Sequence, residues 1–141
     1  MEQTFSKCGL ESLTVEKLGD GSLAILDVRS KSVHSLNPSA AAVWEACNGS
    51  TLGEIGTSLA KQFGGTIEND VILGALAQLQ AANLIESASP VAIEAIDLGR
   101  RSLLKRAGAV GAFAIPAVLT LTAAEQKAYA FSAVSTTGPL P

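Results

Sequence analysis

The 141-residue chain is poor in the residue types that most often carry chemistry. It has one histidine, His34, and two cysteines, Cys8 and Cys47, with no C-x-x-C pair. A zinc site and a disulfide scaffold are thereby disfavoured, since each needs several such residues at set spacings. Aromatic residues make up 4% and charged residues 16%; soluble domains average roughly 25% charged. Low charge with 48% hydrophobic residues excludes disorder along the whole chain.

The little charge present is unevenly placed. Residues 1–98 hold five of the ten Lys and Arg but twelve of the thirteen Asp and Glu, a net of −7. Residues 99–141 hold the other five bases and one acid, Glu125, a net of +4, and Ala107 to Ala124 carry no charge. An acidic globular part thus precedes a basic and then apolar tail.

In the first part, Leu13 to Leu18 alternates apolar and polar as a half-buried strand does. Gly19-Asp20-Gly21 supplies a turn tolerant of positive φ, Ser22 to Val28 a second strand, Arg29-Ser30-Lys31 a polar turn, and Ser32 to Leu36 a third strand. Asn37-Pro38 reads as a helix start, Asn accepting from an orphan N–H and Pro lacking one. Ala40, Val43, Trp44 and Cys47 follow at helical spacing, and Asn48-Gly49 closes the helix. Thr51-Leu52-Gly53-Glu54 is a capping box for a second helix carrying Ile55, Leu59 and Phe63, ended by Gly64-Gly65. A third helix begins near Glu68-Asn69-Asp70 and presents Val71, Ile72, Ala75, Leu76, Leu79 and Ala82. The expected fold is α+β: a small three-stranded antiparallel sheet followed by three helices, winged helix-turn-helix-like, with a C-terminal apolar helical tail.

No catalytic constellation emerges. His34 reads as a half-exposed strand histidine, Cys47 and Trp44 as core, and Cys8 as a thiol in a loose N-terminus. Glu68 and Asp70 suit a helix start better than acid–base work, and Gly64-Gly65 lacks a phosphate-loop pattern. The third helix has no Lys or Arg to meet phosphates, so a DNA-binding regulator is the weaker reading. The expectation is a protein that is not an enzyme, with no cofactor, no metal and no nucleic-acid partner.

Leu26-Asp27, Ser35 to Glu45 (SLNPSAAAVWE), Cys47-Asn48-Gly49-Ser50-Thr51, Asp70-Val71 and Leu79 to Ile85 together resemble the PqqD family over about residues 11–86. The resemblance implies a non-catalytic peptide chaperone, the recognition element of pathways that modify ribosomally made peptides, coenzyme PQQ synthesis among them. It implies that a precursor leader is held as an added strand against the third strand, in a groove completed by the third helix. The leader is then presented to a modifying enzyme, often a radical-SAM protein. Carried onto this chain, the peptide-binding positions are Val33, His34, Ser35 and Leu36 on the strand, and Val71, Ala75, Gln78 and Leu79 on the helix. An edge strand suits this task because its free N–H and C=O groups pair with any extended chain.

The tail resists the same assignment. Residues 87–98 read as a linker, 99–130 as a basic then apolar helical tail, and 131–141 as a disordered terminus. Gly99-Arg100-Arg101-Ser102-Leu103-Leu104-Lys105 is similar to a twin-arginine export motif through Arg100, Arg101, Leu103, Leu104 and Lys105; Ala128-Tyr129-Ala130 follows as an A-x-A site. The motif follows nearly a hundred residues rather than opening the chain. Three readings stand: a membrane-interacting helix, a substrate-like or signal-like peptide joined to its recogniser, and a helix packed on the domain or a partner. As a helix the uncharged run would reach about 27 Å, near the ~30 Å hydrocarbon thickness, although Pro116 interrupts it. The expected location is cytoplasmic, with membrane association through residues 103–124 as one option and a membrane-tethered adaptor as an alternative function.

Overall fold

The computed structural model describes residues 3–105, 113–123 and 125. The three expected strands are present as β2 (Leu13–Lys17), β3 (Leu23–Asp27) and β4 (Ser32–Leu36), paired antiparallel in that order. A further strand, β1 (Thr4–Lys7), precedes them. Gly21 takes φ 95° in the β2–β3 turn, where Asp20 Oδ1 accepts from Ser22 N at 2.9 Å. In β3 the inward side chains are Leu23, Ile25 and Asp27; in β4 they are Ser32, His34 and Leu36. The alternation puts apolar residues at one end of the inner face and polar ones at the other.

The helices α1 (Pro38–Glu45), α2 (Leu52–Phe63) and α3 (Asn69–Ala81) start where local chemistry places them. Asn37 Oδ1 accepts from Ala40 N at 3.0 Å, with Pro38 in the first turn. Thr51 and Glu54 form the reciprocal box, Thr51 N donating to Glu54 Oε1 at 2.8 Å and Glu54 N to Thr51 Oγ1 at 3.2 Å. Gly64 ends α2 at φ 80°. These helices pack on the inner face of the sheet around Leu23, Ile25, Leu36, Val43, Trp44, Ile55, Leu59, Ile72, Leu76 and Leu79.

Several expectations are corrected. The N-terminus is not loose: β1 is the middle strand of a second, three-stranded sheet between β5 (Asn48–Thr51) and β6 (Ile85–Ser87). Phe5 anchors it in the core, and Lys7 Nζ donates to Glu45 O at 3.0 Å and Cys47 O at 3.3 Å, satisfying carbonyls at the end of α1. Asn48-Gly49 does not close α1; it opens β5, and Cys47 is buried just beyond the helix.

The stretch read as a linker over 87–98 turns helical at Glu94, where α4 (Glu94–Lys105) begins. This helix crosses α3 where Gly74 faces Gly99. A Cβ on Gly99 would lie 2.7 Å from Asp70 O, and one on Gly74 would lie 2.9 Å from Ala95 O. Only glycine permits so close a backbone approach.

The apolar tail is not a helix over its described part. Residues 113–117 have no regular structure, and Val118–Leu121 forms β7, which adds to β4 as the fourth strand of the sheet β2-β3-β4-β7. Pro116 removes the N–H that a helix would need there, and Val118-Leu119-Thr120-Leu121 contains the β-branched residues that a strand favours. Among the described residues no helix is long and apolar enough to cross a membrane. The Ala128-Tyr129-Ala130 site and residues 131–141 lie outside the described residues.

Candidate peptide-binding groove

One edge of β4 pairs with β3 and the other faces the C-terminal half of α3, leaving a channel between strand and helix. That channel is filled by residues 113–121 of the same chain. The register is Val33 with Leu121, His34 with Thr120, Ser35 with Leu119 and Leu36 with Val118.

Two carboxamides hold the incoming backbone. Gln78 Nε2 donates to Pro116 O at 2.8 Å, and its Oε1 accepts from Val118 N at 3.0 Å. Asn37 Nδ2 donates to Ile115 O at 2.7 Å, and its Oδ1 accepts from Ala117 N at 3.0 Å. Asn37 N donates to Ala117 O at 3.1 Å, and Ser39 Oγ accepts from Ala114 N at 2.8 Å. All these bonds go to main-chain groups, so they carry no sequence information. The side-chain anchor is Phe113, 2% exposed, set edge-on to Phe63 with ring centroids 5.0 Å apart.

The expected site residues divide accordingly. Val33, His34, Ser35 and Leu36 all pair with β7, and Gln78 grips it. Leu36, Val71, Ala75 and Leu79 are buried in the hydrophobic core, where their side chains pack the groove floor and helix rather than face a ligand. Asn37 and Ser39 were legible only as the start of α1; their second task depends on where residues 113–117 return, which no local pattern encodes. Phe113 and Phe63 are far apart in sequence, and their pairing leaves no local signal either.

His34 is buried, 3% exposed, and not half-exposed as expected. Its neighbours on both sides, Ile25 and Thr120, cover it. Nδ1 lies 2.8 Å from Thr120 Oγ1 in a hydrogen bond whose direction the tautomer sets, and Nε2 has no partner among the described residues. Beside it a polar cleft of about 850 Å³ is lined by Asp27, Ser32, Gln78, Arg100 and Thr120 among others. Asp27 is itself buried. Burial would raise its carboxyl, but hydrogen bonds from Ser30 and Arg29 and the Arg29 charge outweigh it and hold the group below its ordinary value.

Burial pushes the His34 imidazole below its ordinary value of 6.5, against the opposing pull of the Asp27 charge. The folded chain therefore binds fewer protons here than the unfolded one, and stability falls as pH drops through the unfolded value. Glu11, Asp27, Arg29, Glu86 and Arg100 line the same cleft and set the background. From about pH 7 to about pH 5 the wild-type melting temperature should fall further than that of His34→Gln. Parallel curves would remove His34 from the pH response.

Both thiols are held toward their protonated form. Burial pushes Cys47 up to about 12, and its Sγ lies 3.2 Å from Val43 O. Burial, with Glu86 next, also raises Cys8. Trp44 sits in the core with Nε1 donating to Leu84 O at 3.1 Å. Arg100, Arg101, Leu103, Leu104 and Lys105 all belong to α4: Arg100 lines the cleft, Leu103 packs on the core, and Arg101, Leu104 and Lys105 are exposed. The helix α3, which a winged-helix regulator would place in a DNA groove, is covered by α4 and touched by β7.

Residues 22–85 match the family model described as Coenzyme PQQ synthesis protein D (PqqD). No curated protein and no solved structure matches the chain.

Proposed function

The chain belongs to the PqqD family through residues 22–85, and from that premise we propose that it is a non-catalytic peptide-binding partner in a peptide-modification pathway of the PQQ type. It holds an extended precursor leader by strand addition to β4 and presents it to a modifying enzyme, for which a radical-SAM protein is the leading candidate. The observation that carries this reading is the strand already added at that edge, paired over Val33 to Leu36 and held by Gln78 through its main chain. Main-chain pairing supplies affinity without demanding one sequence, and the flanking pockets supply choice. The acidic domain favours a leader that carries basic residues.

Leu36 is fully buried, so its substitution would test folding rather than binding. Gln78 is the better probe. Gln78→Leu keeps a good helix former in α3 and removes both amide contacts, each worth about 0.5–1.5 kcal/mol. Compared with Phe113→Ala alone, in which residues 113–121 are freed from the groove, Phe113→Ala with Gln78→Leu should bind added leader peptides about tenfold or more weakly by fluorescence anisotropy, at unchanged helix content. Undiminished binding would place the peptide elsewhere.

A further inference from the structure

The segment 113–121 occupies the groove as a bound peptide would. It offers an aromatic anchor, Phe113, at one end and a paired strand at the other, and between them its main chain is gripped by Asn37, Ser39 and Gln78. Its own apolar investment is small beyond Phe113, Pro116 and the partly buried Val118; Leu119 is 60% exposed, and Thr120 and Leu121 are half-buried. Few buried contacts and many main-chain bonds place such a segment at the low end of local stability.

We propose that residues 113–121 are a tethered ligand of this groove, and that a peptide from another chain binds only by displacing them. The proposal rests on the strand-addition reading above. Exclusion follows from geometry. The β4 strand has two edges, and β3 holds one. Gln78 and Asn37 have one carboxamide each, and the segment uses both ends of both. No second strand finds an unspent partner there.

The short tie sets how strongly the segment competes with an added peptide. Seven residues separate the end of α4 at Lys105 from Phe113. A tether of so few residues gives an effective concentration on the order of mM. A free peptide that binds the open groove at about 10 μM is then weakened roughly 100-fold in the intact chain.

The test uses the full chain. Ser35 and Leu119 are directly opposed and both exposed, so Ser35→Cys with Leu119→Cys forms a cross-strand disulfide; Cys8→Ser removes the accessible thiol. The probe is a labelled peptide of residues 113–123. The oxidised protein should run as a monomer and bind no probe. Val118→Pro, which deletes the N–H given to Gln78, should bind the probe about 10- to 100-fold more tightly than wild type. Phe113→Ala serves as a second released variant if Val118→Pro does not fold. Oxidation to a dimer would overturn the tether, since the strand would come from a second copy. If the released variants bind an alternating Thr-Val peptide of equal length but not the probe, the tethered-ligand proposal falls and strand addition stands. If oxidised and released proteins bind either peptide equally, both fall.

Discussion

Phe113→Ala is expected to lift β7 off the sheet while the rest of the chain stays folded. Truncating a buried phenylalanine costs about 3–5 kcal/mol. In a central strand that loss would fall on the whole fold. Here Phe113 belongs to a peripheral segment whose remaining side chains are mostly half-exposed, and the core beneath Phe63 is built by α1, α2 and α3 without it. The cheaper response is local release. Amide protection over Val118 to Leu121 should drop about 100-fold or more, because each ~1.4 kcal/mol is a factor of ten. The amides of β2 and β3 and the main thermal transition should change little. An equal loss of protection in β3 would make the segment part of one cooperative unit and would contradict its role as a separable occupant.

The second large effect is at the crossing of α3 and α4. Gly99→Ala should destabilise the chain although alanine is the better helix former. The propensity gain is about 1 kcal/mol. Against it stands a Cβ placed 2.7 Å from Asp70 O and 3.3 Å from the Cα atoms of Gly74 and Val71. Those neighbours are main chain, so no flexible side chain gives way and the helices must part. Overpacking of this kind costs about 1–3 kcal/mol, and a bulkier Gly99→Val should cost more. With the propensity gain subtracted, up to about 2 kcal/mol remains, and the melting temperature should fall by roughly 3–8 °C for Gly99→Ala. Gly56→Ala is the control of opposite sign. Its Cβ would meet Ile72 Cδ1 at an ordinary 3.5 Å, so propensity dominates and the variant should melt slightly higher. A neutral Gly99→Ala would mean that α4 does not pack as described. This glycine also gives the Gly-Arg-Arg stretch a structural reason: it opens a helix contact, and the arginines follow on that helix.

The legible parts of the fold were those that local chemistry decides. Asn37-Pro38, the Thr51–Glu54 box, Gly21 and Gly64 each mark a boundary by a hydrogen bond or a dihedral that neighbours in sequence settle. The strands β2 and β4 follow from alternation, and β3 from a more continuously apolar run between two turns. The return of distant chain was not legible. β1 finds β5 and β6, and Phe113 finds Phe63, through contacts made only once the core exists. The tail misled for a specific reason: an uncharged run rich in Ala and Gly has no period, so neither a helix face nor a strand face stands out. The site was half legible. Strand residues 33–36 pair with β7 and Gln78 bonds to its main chain, whereas Val71, Ala75 and Leu79 are buried in the core. Asn37, a helix cap by its local sequence, makes several further bonds to residues 115–117.

The most direct measurement is nuclear magnetic resonance on the isotope-labelled full chain, before and after addition of an unlabelled peptide. Cross-strand contacts between Ser35 and Leu119 should be present in the free protein. Saturating peptide should abolish them and replace them with contacts from Ser35 to the peptide main chain. Binding that leaves the Ser35–Leu119 contacts intact would contradict strand addition at β4.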